Sequence, residues 1–92
     1  MKKVFLIIEE NHGTIGVAAS RRAAFQYLVK KNWLHFETDY YLFDQWVPIR
    51  KIFEDNGWEK TNENLVEWAM MPTLDWDGCF YVEEIDLVEE DR

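Results

Sequence analysis

Lys3 to Glu10, KVFLIIEE, contains the only run of five consecutive large apolar residues in the chain, Val4 to Ile8. A run this short and uninterrupted, rich in branched and aromatic side chains, reads as a strand with both faces occupied. It is expected to be the central strand of a small sheet.

Glu10-Asn11-His12-Gly13 follows, and Gly13 can adopt the left-handed conformation that closes a hairpin loop. Thr14 to Ser20, TIGVAAS, then runs back as a half-buried outer strand, with Ile15, Val17 and Ala19 expected on the inner face. Ser20 is a good N-cap for a helix over Arg21 to Lys31, whose Ala24, Phe25, Leu28 and Val29 fall at core spacing, and Asn32 is a suitable stop. Arg21 and Arg22 sit in the first turn, where the helix dipole disfavours cations, so they are expected to pair with acidic side chains from later in the chain.

His35 to Asp39 reads as a loop and Tyr40 to Phe43 as extended. Asp44 is the expected cap of a second helix, Gln45 to Asn56, with Trp46, Ile49, Ile52 and Phe53 inward, Pro48 near its first turn and Gly57 ending it. Thr61 or Asn62 caps a third helix, Glu63 to Met71, stopped by Pro72. Thr73 to Gly78 reads as a tight turn, Phe80 to Val88 as the last strand, and Glu89 to Arg92 as a fraying charged tail. In that strand Phe80 and Val82 alternate onto one face, and Ile85 and Leu87 onto the other. A β-bulge at Glu83-Glu84 would reunite them. The order strand, strand, helix, helix, helix, strand predicts a single α+β domain. Its three-stranded sheet has order 2-1-3, with about three helices on one face.

The composition supports a folded core: 48% of the 92 residues are apolar and five are tryptophan. The single cysteine, Cys79, excludes an internal disulfide framework and suits a reducing compartment. No leader pattern and no apolar run near 18 residues appears, so a cytoplasmic protein with no membrane partner is expected. Charge is uneven: residues 1 to 34 hold six basic side chains against two acidic, and residues 35 to 92 hold four against sixteen. Such a chain does not wrap phosphate backbones, so direct nucleic-acid binding is not expected.

No motif carries chemistry. His12 and His35 lack a second ligand at metal spacing, and Cys79 stands among carboxylates that disfavour a thiolate. Asp75, Asp77 and Gly78 suggest a calcium loop only faintly, because position twelve would be Asp86. No catalytic residue, cofactor or metal is assigned. The remaining candidate is an electronegative recognition surface, built from Glu54, Asp55, Glu59, Glu63, Glu67, Asp75, Trp76, Asp77, Glu83 and Glu84.

Taken together, the hairpin KVFLIIEE–NHG–TIGVAAS, the helix RRAAFQYLVKK, the acidic and aromatic middle and the closing WDGCFYVEEIDLVEE resemble small uncharacterised proteins of bacterial phages and mobile elements. The resemblance implies an accessory protein that targets a host protein, the class that includes anti-CRISPR inhibitors, and it carries over no catalytic or ligand residue. On this basis the expected function is a non-enzymatic modulator of a host protein, one route being mimicry of DNA by carboxylates. The alternatives are a self-associating structural module, with a homodimer formed through a sheet edge or aromatic patch, and a small enzyme.

Overall fold

The computed structural model describes residues 2–71 and 80–88. The elements are β1 (Lys3–Glu9), β2 (Gly13–Ala18), α1 (Arg21–Lys30), β3 (Asp39–Leu42), β4 (Gln45–Pro48), α2 (Ile49–Asp55), α3 (Asn62–Ala69) and β5 (Phe80–Asp86). The predicted architecture is present: an antiparallel sheet of order β2-β1-β5, with KVFLIIE at its centre, and a helical layer on one face.

Side chains on a strand alternate between faces. From β1, Phe5 and Ile7 enter the core with Phe80 and Val82 of β5. Ala24, Phe25 and Leu28 of α1, Ile49 and Phe53 of α2, and Leu65, Val66, Trp68 and Ala69 of α3 complete one apolar cluster.

The helix ends follow local chemistry. The Ser20 hydroxyl accepts from the Ala23 N–H at 3.0 Å, and the Thr61 hydroxyl from the Asn64 N–H at 3.1 Å. Asn32 ends α1 at φ 62°, its N–H donating to the Val29 carbonyl while the Trp33 N–H donates to that of Leu28. Gly57 repeats this Schellman pattern after α2, at φ 69°. There the apolar contact that accompanies the motif is Trp58 against Phe53, edge to face at 5.5 Å.

Three expectations need correction. The first concerns Gln45 to Pro48, which is a strand and not the start of a helix. Its partner is Asp39–Leu42, so the stretch read as extended from Tyr40 pairs, as the β3–β4 hairpin, with a strand that stands where the first turn of a helix was expected. Asp44 is a turn residue of that hairpin, at φ 63°, and Trp46 faces solvent. The physical cause is Pro48, which clashes with a helical conformation at Val47, so α2 begins at Ile49 with Pro48 as its cap.

The second correction is the β-bulge. β5 pairs with β1 without interruption from Lys3↔Asp86 to Glu9↔Phe80, straight through Glu83 and Glu84. Ile85 stays on the face away from the helices because that face is itself apolar: Val4 is its direct partner, and Leu6 and Ile8 follow.

The third correction is in β2, where the register slips. Ile7 faces Gly16 and Ile8 faces Thr14, so Ile15 is the extra residue. Gly16 and Ala18 therefore face the helices, and Val17 is 62% exposed on the other side. Gly16 sits in a tight gap there. A Cβ at that position would lie 3.2 Å from Ile7 Cδ1 and 3.3 Å from Tyr27 Cε1. Tyr27 crosses above it and donates its hydroxyl to the bulged Ile15 carbonyl at 3.2 Å.

Candidate functional site

Of the seven described acidic residues expected to form a recognition surface, four are held by basic partners within the chain. Glu54 at the end of α2 meets Lys60 Nζ at 2.7 Å and Arg50 Nη1 at 3.3 Å. The hydrogen bond from Lys60 holds the Glu54 carboxyl below its ordinary range. Asp55 pairs with Lys51 at 3.4 Å, Glu67 with Arg22, and Glu84 with Lys3 at 3.9 Å. Glu63 lies in the first turn of α3 and adds to the field that raises the Arg22 pKa, although the hydrogen bond from Glu67 is the larger cause. The Arg22–Glu67 pair meets the expectation for the first turn of α1, while Arg21 stacks its guanidinium 5.1 Å from the Phe25 ring centre.

Glu59 and Glu83 make no ion pair among the described residues. Glu59 follows α2, where its backbone carbonyl accepts from Asn64 Nδ2 at 2.9 Å. Glu83 and Glu84 project from opposite faces of β5, Glu83 beside Leu6 and Glu84 beside Phe5. The described carboxylates of this set are thus carried by several elements, the end of α2, α3 and both faces of β5. Asp75, Trp76, Asp77 and Cys79 lie outside the described residues, as does the tail from 89.

Among the described residues three of the five exposed aromatics, Tyr41, Phe43 and Trp46, lie on the β3–β4 hairpin, whose second strand and pairing sequence reasoning missed. One side of it is anchored: Tyr40 meets Trp68 edge to face at 5.2 Å. Backbone bonds from the Ile49 N–H to the Thr38 carbonyl, at 3.0 Å, and from the Arg50 N–H to that of Phe36, at 2.8 Å, tie its base to α2. The other side is free. Tyr41 and Trp46 are direct cross-strand partners with ring centres 5.0 Å apart, and Trp46 is 52% exposed. At the tip Phe43 is 89% exposed and adopts φ 49°. Positive φ at both Phe43 and Asp44 marks a type I′ turn, which normally takes Asn-Gly. The Tyr41 hydroxyl donates to Asp44 Oδ1 at 3.2 Å and braces the turn. Without Asn-Gly there was no turn signal; the surviving trace is the spacing of Tyr41 and Trp46 around a two-residue loop.

Two further surfaces are apolar. The face of the sheet away from the helices presents Val4, Leu6 and Ile8 flanked by Val17, Tyr81 and Ile85. A cleft of about 400 Å³ is lined by Phe53, Trp58, Trp68 and Met71.

One charged side chain is buried among the described residues, Glu9 at 4% exposure. Its Oε2 accepts from the Asn11 N–H at 3.0 Å and pairs with His12 Nδ1. The His12 bond is the larger cause holding the Glu9 carboxyl below its ordinary range. His12 rests its ring against the Trp33 edge, with centres 5.9 Å apart. No three His, Cys, Asp or Glu side chains among the described residues converge as metal ligands, and no described helix is long and apolar enough to cross a membrane. Compared with protein families, curated proteins and solved structures, the chain matches none.

Proposed function

We propose that the chain is a small, acidic, non-enzymatic protein that binds another protein through the outward side of the β3–β4 hairpin. The observation that carries this reading is Phe43, a large aromatic side chain 89% exposed on a residue at φ 49°. Hydration and backbone sterics both disfavour that combination, and local strain of this kind persists where function uses it. Tyr41 and Trp46 flank it as an ordered pair, and aromatic residues of this type dominate the energetics of protein interfaces.

In this reading the chain is an accessory protein of phage or mobile-element type, acting in the cytoplasm of a bacterial host. Its effect is to modulate or inhibit the host protein it binds, as anti-CRISPR proteins do. The acidic second half speeds encounter with a basic surface, and the aromatics set the affinity. Mimicry of DNA has less support, because Glu54, Asp55, Glu67 and Glu84 already have basic partners.

The test is capture of partners from host-type lysate by the wild-type protein and by a Phe43→Ser, Trp46→Ser double variant, each washed at low and high salt. The expected result is a protein retained by the wild type and lost from the variant. Equal retention by both would overturn the hairpin reading. Loss from both at high salt would return the weight to the carboxylates.

A second reading, self-association, is favoured by the uncovered apolar face of the sheet. Sedimentation that is independent of concentration, and the same for wild type and Val17→Lys, would exclude it.

A further inference from the structure

The three-stranded sheet ends on β5, and among the described residues no strand pairs with its outer side. The Leu87 N–H donates to the Lys2 carbonyl at 2.8 Å, which fixes the phase of the β1–β5 ladder. Alternate residues of an antiparallel strand turn their backbone groups to opposite sides. Counting back from Leu87, Ile85, Glu83 and Tyr81 bond to β1, and the N–H and C=O groups of Val82, Glu84 and Asp86 point outward from the sheet. From this arrangement we infer that the outer edge of β5 takes an additional strand, supplied by an extended basic segment of a partner protein.

The opposite edge of the sheet is less suited. β2 carries the bulge at Ile15, and the carbonyl of that residue already accepts from the Tyr27 hydroxyl. Bulges and diverted backbone groups blunt an edge. β5 pairs without interruption and leaves its outer side regular. Its side chains define the segment that fits. On the face away from the helices, exposed Tyr81 and Ile85 flank Glu83, which has no ion pair among the described residues. On the other face Glu84 and Asp86 share the one ammonium of Lys3, at 3.9 and 3.4 Å. The edge is therefore negative. A strand laid beside β5 sets one side chain directly opposite Glu83 and others opposite Tyr81 and Ile85. The complementary pattern is apolar, any, Arg or Lys, any, apolar, and it reads the same in either chain direction.

A second copy does not meet that pattern. Two β5 strands related by a twofold axis must match outward-bonding residues with one another. The register of greatest overlap, centred on Glu83, sets that carboxylate against its own copy, and the register centred on Glu84 does the same there. The register centred on Val82 sets Glu84 against the buried Phe80. Like charges directly opposite destabilise a ladder, whereas opposite charges support it.

This inference stands apart from the hairpin reading, and one experiment separates them. The isotopically labelled full chain is titrated with a capped peptide carrying Val-Thr-Arg-Thr-Val at its centre, following backbone amides by NMR. Two control peptides replace Arg with Glu, or carry methyl groups on both threonine nitrogens, which would bond to the edge. Saturating shifts are expected at Val82 and Glu84, with slower solvent exchange there, and Kd on the order of a millimolar for so short a segment. Glu83 and Ile85, already bonded to β1, gain little protection. The Glu peptide binds about two- to fivefold more weakly, the size of one cross-strand charge pair, and the methylated peptide about tenfold or more. Glu83→Lys reverses the preference and favours the Glu peptide, while the Phe43→Ser, Trp46→Ser variant binds as wild type does. No saturating shift at Val82 and Glu84, equal binding of the methylated peptide, or an unreversed preference in Glu83→Lys overturns the inference. Loss of binding in the Phe43→Ser, Trp46→Ser variant also overturns it, by moving the peptide to the hairpin. So do β5 amide shifts that follow protein concentration with no peptide added, which assign the edge to a second copy.

Discussion

Replacing Phe43 with Asn and Asp44 with Gly should stabilise the fold while abolishing partner binding. Both residues occupy the left-handed region, at φ 49° and 63°, and Asn-Gly is the pair that a type I′ turn accommodates best. A left-handed conformation costs an ordinary L-residue about 1–2 kcal/mol, and Asn and Gly remove much of that at the two positions. Against this stands the burial that Phe43 gives up. It is 89% exposed, so about a tenth of a roughly 200 Å² side chain is covered, worth about 0.5 kcal/mol at ~25 cal/mol per Å². The bond from the Tyr41 hydroxyl to Asp44 Oδ1 is exposed, and its loss costs a few tenths of a kcal/mol at the low end of the range for hydrogen bonds. The balance favours the variant by ~0.5–1 kcal/mol, a rise in Tm of about 2–8 °C for a domain of this size. Thermal and urea denaturation followed by far-ultraviolet circular dichroism would measure it, with an unchanged urea m-value showing that the transition is the same one. A fall in Tm would refute the reasoning, because it would mean that Phe43 packs on the body of the protein and is not held out for a partner.

Three other outcomes follow from the geometry. Gly16→Val places methyl groups where a Cβ alone already meets Ile7 at 3.2 Å and Tyr27 at 3.3 Å; it should lower stability by about 1–3 kcal/mol in urea, whereas Val17→Thr on the opposite face changes little. Tyr27→Phe removes the hydroxyl that satisfies the Ile15 carbonyl and should cost about 1 kcal/mol, with faster amide exchange confined to the β2 bulge as the local readout. Acid should destabilise the fold through Glu9. Its folded pKa is depressed, mainly by the bond to His12, so the unfolded chain binds the proton more tightly. That contribution is complete above the ordinary glutamate value of about 4.3 and is lost as pH falls through the lower folded value. Glu9→Gln should flatten this part of the acid limb of the urea midpoint against pH, and an unaltered limb would count against the pairing.

The elements legible from residue order were those governed by local chemistry. Ser20 and Thr61 cap their helices with their own hydroxyls, and Asn32 and Gly57 end theirs in left-handed conformations. Val4 to Ile8 is central, paired on both edges by β2 and β5, although helices cover only its Phe5 and Ile7 face among the described residues. The misread parts depended on partners distant in the chain. Whether β5 needed a bulge turned on the character of the far face of β1, and Ile85 stays there because Val4 is opposite it. The Tyr41–Trp46 pairing carries no turn signature, because Phe43 and Asp44 fill a turn that ordinarily takes Asn-Gly.

Composition and residue order were sufficient for a single α+β layer with KVFLIIE at its centre, because apolar runs, caps and stops act within a few residues of themselves. They could not show that Arg50, Lys51 and Lys60 neutralise Glu54 and Asp55, that Lys3 reaches across to Glu84, or that Glu9 turns into the core. A charge contributes according to what lies within a few ångströms of it in space, and chain position does not encode that distance. The acidic half therefore reads as one surface along the chain, and among the described residues folding divides it into paired ions and unpaired carboxylates on separate elements, with the aromatic hairpin exposed beside them.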